Sequence, residues 1–176
     1  MPKHDFTDEK MKMSRKRFLI CLGALLLWIA FIFGHSLQPA DVSTSESTGV
    51  RTLLQRIVPF GLTERFIRKM GHFIEFGVLG VLSGALFCGC CRHPRTGFLF
   101  AVMTGMTIAL CDETIQLFVE GRNGQVPDVW IDVAGAAAGA VLVLLIRAVL
   151  RRKARRKRRD QGAGNTEHID QRSDIS

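Results

Sequence analysis

The sequence predicts an all-α membrane protein: a four-transmembrane-helix bundle with a short external amphipathic helix between the first and second helices. Three observations support this fold class. The apolar residues of the 176-residue chain are concentrated in long runs, several of them without a charged side chain. Each run approaches the length of about 20 residues with which a helix crosses a membrane core of about 30 Å. Basic residues collect next to the ends of the runs, as is typical of membrane topology.

The uncharged runs place the predicted transmembrane helices at approximately 18–35, 72–90, 97–119 and 128–150. The first run could also be a signal peptide, because Arg15-Lys16-Arg17 resembles the charged start of such a peptide. However, no Ala-x-Ala cleavage site follows, and Gln38-Pro39-Ala40 matches one poorly. We therefore expect this run to remain in the protein as an uncleaved helix.

The net charge of +8 is distributed in a way that predicts membrane orientation. Six lysine or arginine residues precede the first helix, and a basic run from Arg151 to Arg159 follows the fourth. Arg92 and Arg95 lie in the turn between the second and third helices. Basic residues near helix ends stay on the cytoplasmic side of a membrane. We therefore predict a multi-pass protein of the cell (plasma) membrane whose N- and C-termini are both cytoplasmic.

This interpretation divides the chain into three parts. Residues 1–13 form a polar cytoplasmic tail, residues 14–150 form the transmembrane domain, and residues 151–176 form a second cytoplasmic tail. The second tail is basic at first, and from residue 160 on it is polar and lacks periodicity, which predicts disorder. Its basic run is expected to meet anionic lipid headgroups. Membrane lipids are therefore predicted partners, and nucleic acid is not.

An interfacial segment, 50–70, is predicted between the first two transmembrane helices. Apolar residues recur there at helical spacing, namely Val50, Leu53, Leu54, Ile57 and Val58. Pro59 and Gly61 end this pattern. The pattern is typical of an amphipathic helix that lies in the external interface of the membrane. A second short helical piece, Thr63 to Met70, is expected to lead into the next transmembrane helix.

Polar side chains recur near the predicted external ends of the second, third and fourth helices. An aspartate at the centre of a membrane helix costs about 2.5–3.5 kcal/mol, and less near the helix ends. Such residues usually face the interior of a bundle and pair with one another. Helical spacing supports shared faces: Asp112 and Gln116 are four residues apart, and so are Asp128 and Asp132. We therefore expect one polar cluster rather than scattered polar residues.

Two interpretations of this cluster are open. In the functional interpretation, acid/base or cation-binding groups stand beside basic groups that hold a phosphate. In the structural interpretation, the basic residues neutralise the acids and lock the helices together. The functional interpretation assigns catalytic roles to His72, Glu75, Asp112, Glu113, Gln116 and Asp132, and substrate-binding roles to Arg68, Lys69, Arg122 and Asp128.

The chemistry of the cluster is compatible with a divalent cation, although no cofactor is certain from the sequence. Carboxylate oxygens combined with one imidazole would suit Mn²⁺, Mg²⁺ or Zn²⁺, without choosing among these metals. We find no P-loop, dinucleotide-binding fingerprint or nucleophile elbow in the sequence, so the usual soluble chemistries have no support.

Small residues in the fourth predicted helix indicate close helix packing. Gly135 and Gly139 form a Gly-x-x-x-Gly pattern within an alanine-rich stretch. This pattern lets two helix backbones approach each other closely and carries no chemistry itself. We therefore predict that this face of the fourth helix packs against another helix.

Two blocks of the sequence resemble the VanZ-like family, which is named for a protein associated with resistance to the glycopeptide teicoplanin. The block from Arg68 to Gly80 resembles the family pattern Lys-x-x-His-Phe-x-Glu-Tyr. The block from Asp112 to Asp132 resembles Asp-Glu-x-x-Gln-x-Phe-x-x-x-Arg followed by Asp-x-x-x-Asn. The stretch Phe33-Gly34-His35-Ser36 is also similar to the family's Phe-x-x-Ser. The resemblance covers approximately residues 18–147.

The resemblance implies a small multi-pass bacterial membrane protein with a polar site on the external side. The sequence departs from the family pattern at two positions. Phe76 stands where the family commonly has Tyr, and Asp132 stands where it more often has Asn. The first departure removes a hydroxyl group from the site, and the second adds a negative charge.

Three functional hypotheses follow. The first is a membrane enzyme that acts on a lipid-linked component of the cell envelope. The second is a non-enzymatic binder of a lipid-linked envelope precursor or of an amphiphilic antibiotic such as a lipoglycopeptide. The third is a small transporter component, for which midplane sites and internal repeats would be expected. We rank the transporter last, because the acids lie away from the predicted midplane and no repeat is evident.

Overall fold

The computed structural model describes residues 13–39, 63–122 and 124–173, and the regular elements in these ranges are all helices. They are α1 Arg15–Ser36, α2 Glu64–Cys90, α3 Pro94–Gln116 and α4 Val126–Ser173. Each contains a segment that is long and apolar enough to cross a membrane. The predicted all-α fold with four membrane helices is therefore confirmed. Residues 50–62 of the predicted interfacial helix lie outside the described ranges.

The helix starts are set by local capping. The side chain of Ser14 accepts a hydrogen bond from the backbone N–H of Arg17 at the start of α1, and Thr63 caps Phe66 in the same way. Such caps satisfy backbone N–H groups that have no partner within the helix. At the start of α3, Pro94 occupies a first-turn position, where its missing N–H removes no helical hydrogen bond.

Helix α2 begins eight residues earlier than the predicted start at residue 72. The short helical piece expected from Thr63 to Met70 is the first part of α2 rather than a separate element. The hydropathy pattern alone could not show that this piece and the transmembrane helix are continuous, because the polar residues Arg68 and Lys69 precede the apolar run. No helix-breaking proline lies between them and the transmembrane run, so the backbone continues as one helix.

The loop between α3 and α4 is longer than predicted. Helix α3 ends at Gln116, three residues before the expected end at residue 119. The chain then passes through Gly121, whose φ of 73° lies in the region that glycine adopts without strain. The helix was predicted to extend to residue 119 because Leu117 and Phe118 are apolar. In the structure both residues lie in a turn and are exposed.

Helix α4 continues to Ser173, whereas the sequence indicated that the transmembrane helix ends near residue 150. The helical description therefore also differs from the disorder expected from residue 160 on. Arginine, lysine and alanine have high helix propensity, and they make up the run that follows the apolar part of α4. The chain divides into two compact units, Met1–Val143 and Leu144–Ser176, and the packed bundle belongs to the first.

Within the first unit, a buried apolar core joins the four helices. Its members are Leu25, Ile32, Phe76, Leu79, Leu86, Ala109, Val129 and Ala136. The outer surfaces are also apolar, since Ile20 and Leu27 are exposed by 70% and 74%. Large apolar side chains on the outside of a bundle are expected where lipid surrounds it. The chain is therefore a multi-pass membrane protein in its packing as well as in its composition.

Helices α2 and α4 approach each other through glycine, as the sequence predicted. Gly135 lies against the carbonyl oxygen of Phe73, and Gly139 lies against the carbonyl oxygen of Gly77. A Cβ atom at either glycine would overlap these oxygens. The close approach brings the first turns of α4 next to the part of α2 that contains His72. The predicted packing role of the Gly-x-x-x-Gly pattern is therefore confirmed.

Candidate functional site

Polar side chains from all four helices meet at one end of the bundle, which we call the polar end. Helices α1 and α3 end there, and helices α2 and α4 begin there. The contacts of Ser36 with Asp112 and of Lys69 with Asp128 join these helix ends. Residues that are distant in the sequence become neighbours because successive helices run in opposite directions, which brings the ends of α1 and α3 and the starts of α2 and α4 to the same side of the bundle.

Three side chains form the centre of the polar end: His72 from α2, Asp112 from α3 and Asp132 from α4. We call them the acid–histidine cluster. The Nδ1 atom of His72 lies 3.6 Å from Oδ1 of Asp132 and 4.0 Å from Oδ2 of Asp112. One ligand atom from each residue lies within 4.8 Å of the other two. Both aspartates are enclosed, with 1% of Asp112 and 0% of Asp132 exposed.

Three buried atoms of this cluster have no hydrogen-bond partner among the described residues. They are Nδ1 of His72 and both carboxylate oxygens of Asp132. Buried polar groups are almost always hydrogen-bonded, because an unpaired one loses its hydration without compensation. The arrangement is therefore suited to a shared proton or to a bound cation.

Asp112, in contrast to Asp132, is held by neighbouring side chains. The Nε2 atom of Gln116 donates a hydrogen bond of 2.8 Å to its Oδ2 atom. The two residues are one helical turn apart, as their spacing predicted. The hydroxyl group of Ser36 donates to the backbone carbonyl of Asp112 at 3.3 Å and so attaches the end of α1 to α3. The Gln116 bond positions the Asp112 carboxylate, and the Ser36 bond positions its backbone.

Glu75 lies next to the cluster but is paired with another residue. Its Oε1 atom lies 2.9 Å from Nδ1 of His35 at the end of α1. The indole N–H of Trp28 also donates a hydrogen bond of 3.0 Å to the backbone carbonyl of Glu75. The rings of His35 and His72 face each other with centroids 6.5 Å apart. Glu75 and His35 therefore flank the cluster on the side of α1.

Glu113 is buried beside Asp112 but serves the loop rather than the cluster. Its Oε2 atom accepts a hydrogen bond of 2.7 Å from the backbone N–H of Gln125. A carboxylate that accepts from a backbone N–H makes a charge-assisted bond, which is stronger than a neutral one. The adjacent acids Asp112 and Glu113 therefore have separate tasks, one in the cluster and one at the base of the α3–α4 loop.

The basic residues surround the cluster without pairing with its aspartates. Lys69 forms an ion pair of 2.7 Å with Asp128, and Arg122 donates a hydrogen bond of 3.2 Å to the backbone carbonyl of His35. Arg68 is exposed to the surroundings. Burial lowers the pKa of the Arg122 guanidinium from its ordinary value, although an arginine in a protein stays protonated. Arg68, Lys69 and Arg122 thus all lie at the polar end.

The comparison with protein families decides where this architecture belongs. A family profile described as VanZ/LLP1 matches residues 21–147. The chain belongs to the VanZ/LLP1 family. The matched range includes all residues of the acid–histidine cluster, and the membership confirms the resemblance seen in the sequence. No curated protein and no solved structure matched the chain significantly.

The VanZ/LLP1 chain brings the predicted site residues together at one end but divides them among separate interactions. His72, Asp112 and Asp132 form the cluster, and Gln116 orients it. Each remaining predicted acid is engaged elsewhere: Glu75 with His35, Glu113 with the loop, and Asp128 with Lys69. Within the described part of the chain, no lysine or arginine forms an ion pair with Asp112 or Asp132. The predicted catalytic and binding roles stay predictions.

Sequence reasoning missed residues that complete the polar end of this VanZ/LLP1 protein. His35 and Ser36 contact Glu75 and Asp112 but were not among the candidate site residues. A signal for them existed, because the stretch Phe33-Gly34-His35-Ser36 carried part of the family resemblance. Gln125 was missed for another reason: it contributes its backbone N–H, which no side-chain pattern reveals.

Proposed function

We propose that this VanZ/LLP1 family protein binds the anionic headgroup of a lipid-linked component of the cell envelope at its polar end. The observation that carries the proposal is the position of three cations, Arg68, Lys69 and Arg122, around a polar site in an otherwise apolar bundle. A phosphate group is the natural ligand of several lysine and arginine side chains that converge.

The basic groups keep hydrogen-bond donors for such a ligand. A lysine ammonium has three N–H donors and an arginine guanidinium has five. Lys69 is bonded to Asp128, and Arg122 is bonded to the carbonyl of His35. Each group therefore has further donors, while its present bond keeps it in place. Donors that are already positioned bind a ligand with less loss of conformational freedom.

The surroundings of the polar end favour an amphiphile over a soluble anion. Phe118 in the α3–α4 loop is 85% exposed, and Trp130 near the start of α4 is 65% exposed. Aromatic side chains of this kind occupy the boundary between the membrane and water. A ligand with an anionic head and an apolar chain could contact the cations and the lipid-facing surface together. A small soluble phosphate would use only the first of these features.

Membrane orientation would place the site where envelope precursors are displayed. In the sequence, basic tails precede α1 and follow the apolar part of α4, and Arg92 and Arg95 lie where α2 ends and α3 begins. The positive-inside tendency therefore supports a polar end that faces outward. Because the family takes its name from a protein associated with teicoplanin resistance, the proposal extends to altered susceptibility to envelope-targeting antibiotics.

A binding experiment with two matched lipids tests the proposal. The purified chain in lipid nanodiscs would be titrated with a polyprenyl phosphate and, separately, with the neutral polyprenol of the same chain length. We expect specific binding of the phosphate only. Arg122→Gln should weaken it about tenfold, since a hydrogen bond to a charged group contributes about 1.5–3 kcal/mol. Arg95→Gln, at the opposite end of the bundle, is the matched control and should bind like the wild type.

The proposal is wrong if the polyprenol binds as tightly as its phosphate, or if Arg95→Gln and Arg122→Gln weaken binding equally. An ordinary anionic phospholipid added in excess distinguishes a specific lipid-linked ligand from general attraction to negative headgroups. General attraction is indicated if this phospholipid already displaces the polyprenyl phosphate when the two are present at equal concentration.

A cellular experiment separates binding from catalysis. A deletion strain carrying Asp112→Asn or Glu75→Gln would be compared with the wild type on a panel of envelope-targeting antibiotics, teicoplanin included. These substitutions keep the shape of the side chain but remove its charge. A protein that only binds should often tolerate them, whereas a general acid or base should not. Arg122→Gln, at equal protein level, should reduce any resistance through the ligand contact.

A further inference from the structure

We infer that His72, Asp112 and Asp132 form a binding site for one divalent transition-metal cation, Zn²⁺ or Mn²⁺. The inference concerns these three side chains only and goes beyond the proposed lipid binding, because it requires no lipid. It selects three residues from the five acids and one histidine that the sequence placed in this region.

The first argument is the spacing of the ligand atoms. Such cations hold nitrogen and oxygen ligands at about 2.0–2.2 Å, so two ligands of one ion lie about 3–4 Å apart. The His72 Nδ1 atom lies 3.6 Å from Asp132 and 4.0 Å from Asp112. Both separations are too long for a hydrogen bond. All three ligand atoms lie within 4.8 Å of one another.

The second argument is independent of these distances. Asp132 is fully buried, and neither of its oxygens has a hydrogen-bond partner in the described part of the chain. The Nδ1 atom of His72, which faces it, is buried and unpartnered as well. A cation would satisfy all three atoms at once. Hydrogen bonds among the described residues satisfy none of them.

The third argument is the charge balance. Two carboxylates enclosed by apolar helices carry two negative charges when both are ionised, and one divalent cation neutralises them. The basic residues of the polar end do not take this role, because Lys69 pairs with Asp128 and Arg122 bonds to a backbone carbonyl. Buried charges are stable in proteins where they are paired or coordinate a metal.

The other acids of the region are excluded as ligands by their own partners. Glu75 pairs with His35 at 2.9 Å, and Glu113 accepts from the backbone N–H of Gln125 at 2.7 Å. Recruiting either residue would break these bonds. Asp128 lies beside Lys69 and is partly exposed. The site therefore has one nitrogen ligand and two carboxylate ligands.

This ligand set indicates the class of metal. Imidazole suits transition metals such as Zn²⁺, and carboxylates suit Mn²⁺, whereas Ca²⁺ and Mg²⁺ prefer oxygen alone. Three protein ligands leave at least one coordination position open, as in catalytic zinc sites. Gln116 donates to Asp112 and would orient that ligand, a common role for residues behind a metal ligand.

The test is a metal titration of the full chain without any added lipid phosphate. The protein, purified in detergent and stripped with a chelator, would be titrated with Zn²⁺ and, separately, with Mn²⁺. Bound metal would be counted by elemental mass spectrometry. Asp132→Asn and His72→Gln remove ligands. Asp128→Asn is the matched control, because it makes the same change one turn earlier on α4.

We expect one equivalent of metal in the wild type and in Asp128→Asn, and affinity reduced at least about tenfold in both cluster variants, the loss typical of disrupting a metal site. A wild type that binds no stoichiometric metal would overturn the inference, and so would equal losses in Asp128→Asn and Asp132→Asn.

A second measurement keeps the inference testable if a cluster variant fails to fold. Metal that binds the native state but not the unfolded state raises the melting temperature of the wild type, and the rise grows with the logarithm of the free metal concentration once this exceeds the Kd. We expect this rise in the wild type and in Asp128→Asn. Its absence from the wild type overturns the inference. Because neither measurement contains a polyprenyl phosphate, failure here leaves the lipid proposal standing, and failure of lipid binding leaves the metal site standing.

Discussion

Asp112 and Asp132 are both buried, yet their carboxylates are held in different ways. Asp112 accepts a hydrogen bond from Gln116, and its backbone carbonyl accepts another from Ser36. Neither side-chain oxygen of Asp132 has a hydrogen-bond partner among the described residues. The same residue type therefore has two roles in one cluster. Asp112 is positioned by its neighbours, while Asp132 keeps its capacity to bind something else.

Asp132→Asn is expected to stabilise the metal-free protein. The amide brings no charge into the buried cluster, and the gain should be on the order of 1 kcal/mol, the scale of an unsatisfied buried polar group. Thermal unfolding in detergent with a chelator would measure it. With saturating metal, the wild type should become the more stable of the two. An Asn variant that is less stable under both conditions would contradict this prediction.

Glu113 is predicted to stabilise the α3–α4 loop. Glu113→Ala leaves the backbone N–H of Gln125 without its charged acceptor, and unfolding should become easier by about 1.5–3 kcal/mol. Glu113→Gln keeps an acceptor oxygen, so its free energy of unfolding should fall by less than that of Glu113→Ala. Thermal unfolding of the two variants side by side tests this. If both lose the same amount, the charge rather than the hydrogen bond holds the loop.

At the scale of elements, the contact between α2 and α4 positions the cluster. Gly135 of α4 contacts Phe73 of α2. Gly135 lies about one helical turn after Asp132, and Phe73 is the residue after His72. Since helix backbones touch here, the distance between the two helices is set by the absence of side chains. The separation of His72 from Asp132 therefore depends on residues that carry no chemistry.

Gly139→Ala should weaken this contact. The added Cβ would overlap the carbonyl oxygen of Gly77, which is backbone and cannot rotate away. We expect a lower melting temperature, with a cost of about 1–3 kcal/mol for overpacking. Gly23→Ala is the matched control, because nothing lies within 4 Å of a Cβ atom at that position in α1. It should be neutral or slightly stabilising, since alanine favours helix more than glycine.

Equal decreases in melting temperature in Gly139→Ala and Gly23→Ala would show that the contact between α2 and α4 does not explain the effect. Loss of metal binding in Gly139→Ala without loss of folded protein would be the more informative result. It would connect helix spacing directly to the geometry of the cluster.

At the scale of the whole molecule, the two ends of the bundle differ in chemistry. The polar end contains the acid–histidine cluster and nearby cations. At the opposite end, Arg92 in the α2–α3 connection and Arg95 in the first turn of α3 are exposed. The tails that precede α1 and follow the apolar part of α4 are strongly basic. An asymmetric protein of this kind has a preferred orientation in the membrane.

Reporter fusions test the predicted orientation. A phosphatase that is active only outside the cytoplasm should be active when fused in the α3–α4 loop, after Arg122. A fluorescent protein that folds only in the cytoplasm should be bright when fused after Ser176. The positive-inside tendency is the physical reason for both expectations. The reverse pattern would place the polar end in the cytoplasm and would remove the argument for an external envelope ligand.

Several features of the fold could be predicted because they are local. Four apolar runs of membrane-spanning length identify four helices, whatever their arrangement. The Gly-x-x-x-Gly pattern predicted a close helix contact without naming the partner helix. The boundaries were less predictable, since α2 begins before its apolar run and α3 ends within one. Helix starts and ends depend on caps and on loop contacts as much as on hydropathy.

The candidate site could be predicted as a list of residues but not as a set of pairs. Ten polar residues near helix ends indicated one cluster, and the structure brings them to one end of the bundle. The pairings differ from simple expectation, because His35 rather than a basic residue faces Glu75, and Lys69 faces Asp128. Pairing depends on how each helix is rotated about its axis, which the sequence expresses only weakly.

The sequence by itself determined the membrane fold, the family and the residues available for chemistry, because hydropathy, charge and motif are properties of neighbouring positions along the chain. Only the tertiary structure decided that His72, Asp112 and Asp132 meet while Glu75 and Glu113 turn to other partners. The physical reason is that these three residues lie 20 or more positions apart in the chain and meet only when their helices pack, at a spacing that backbone contacts of glycine set.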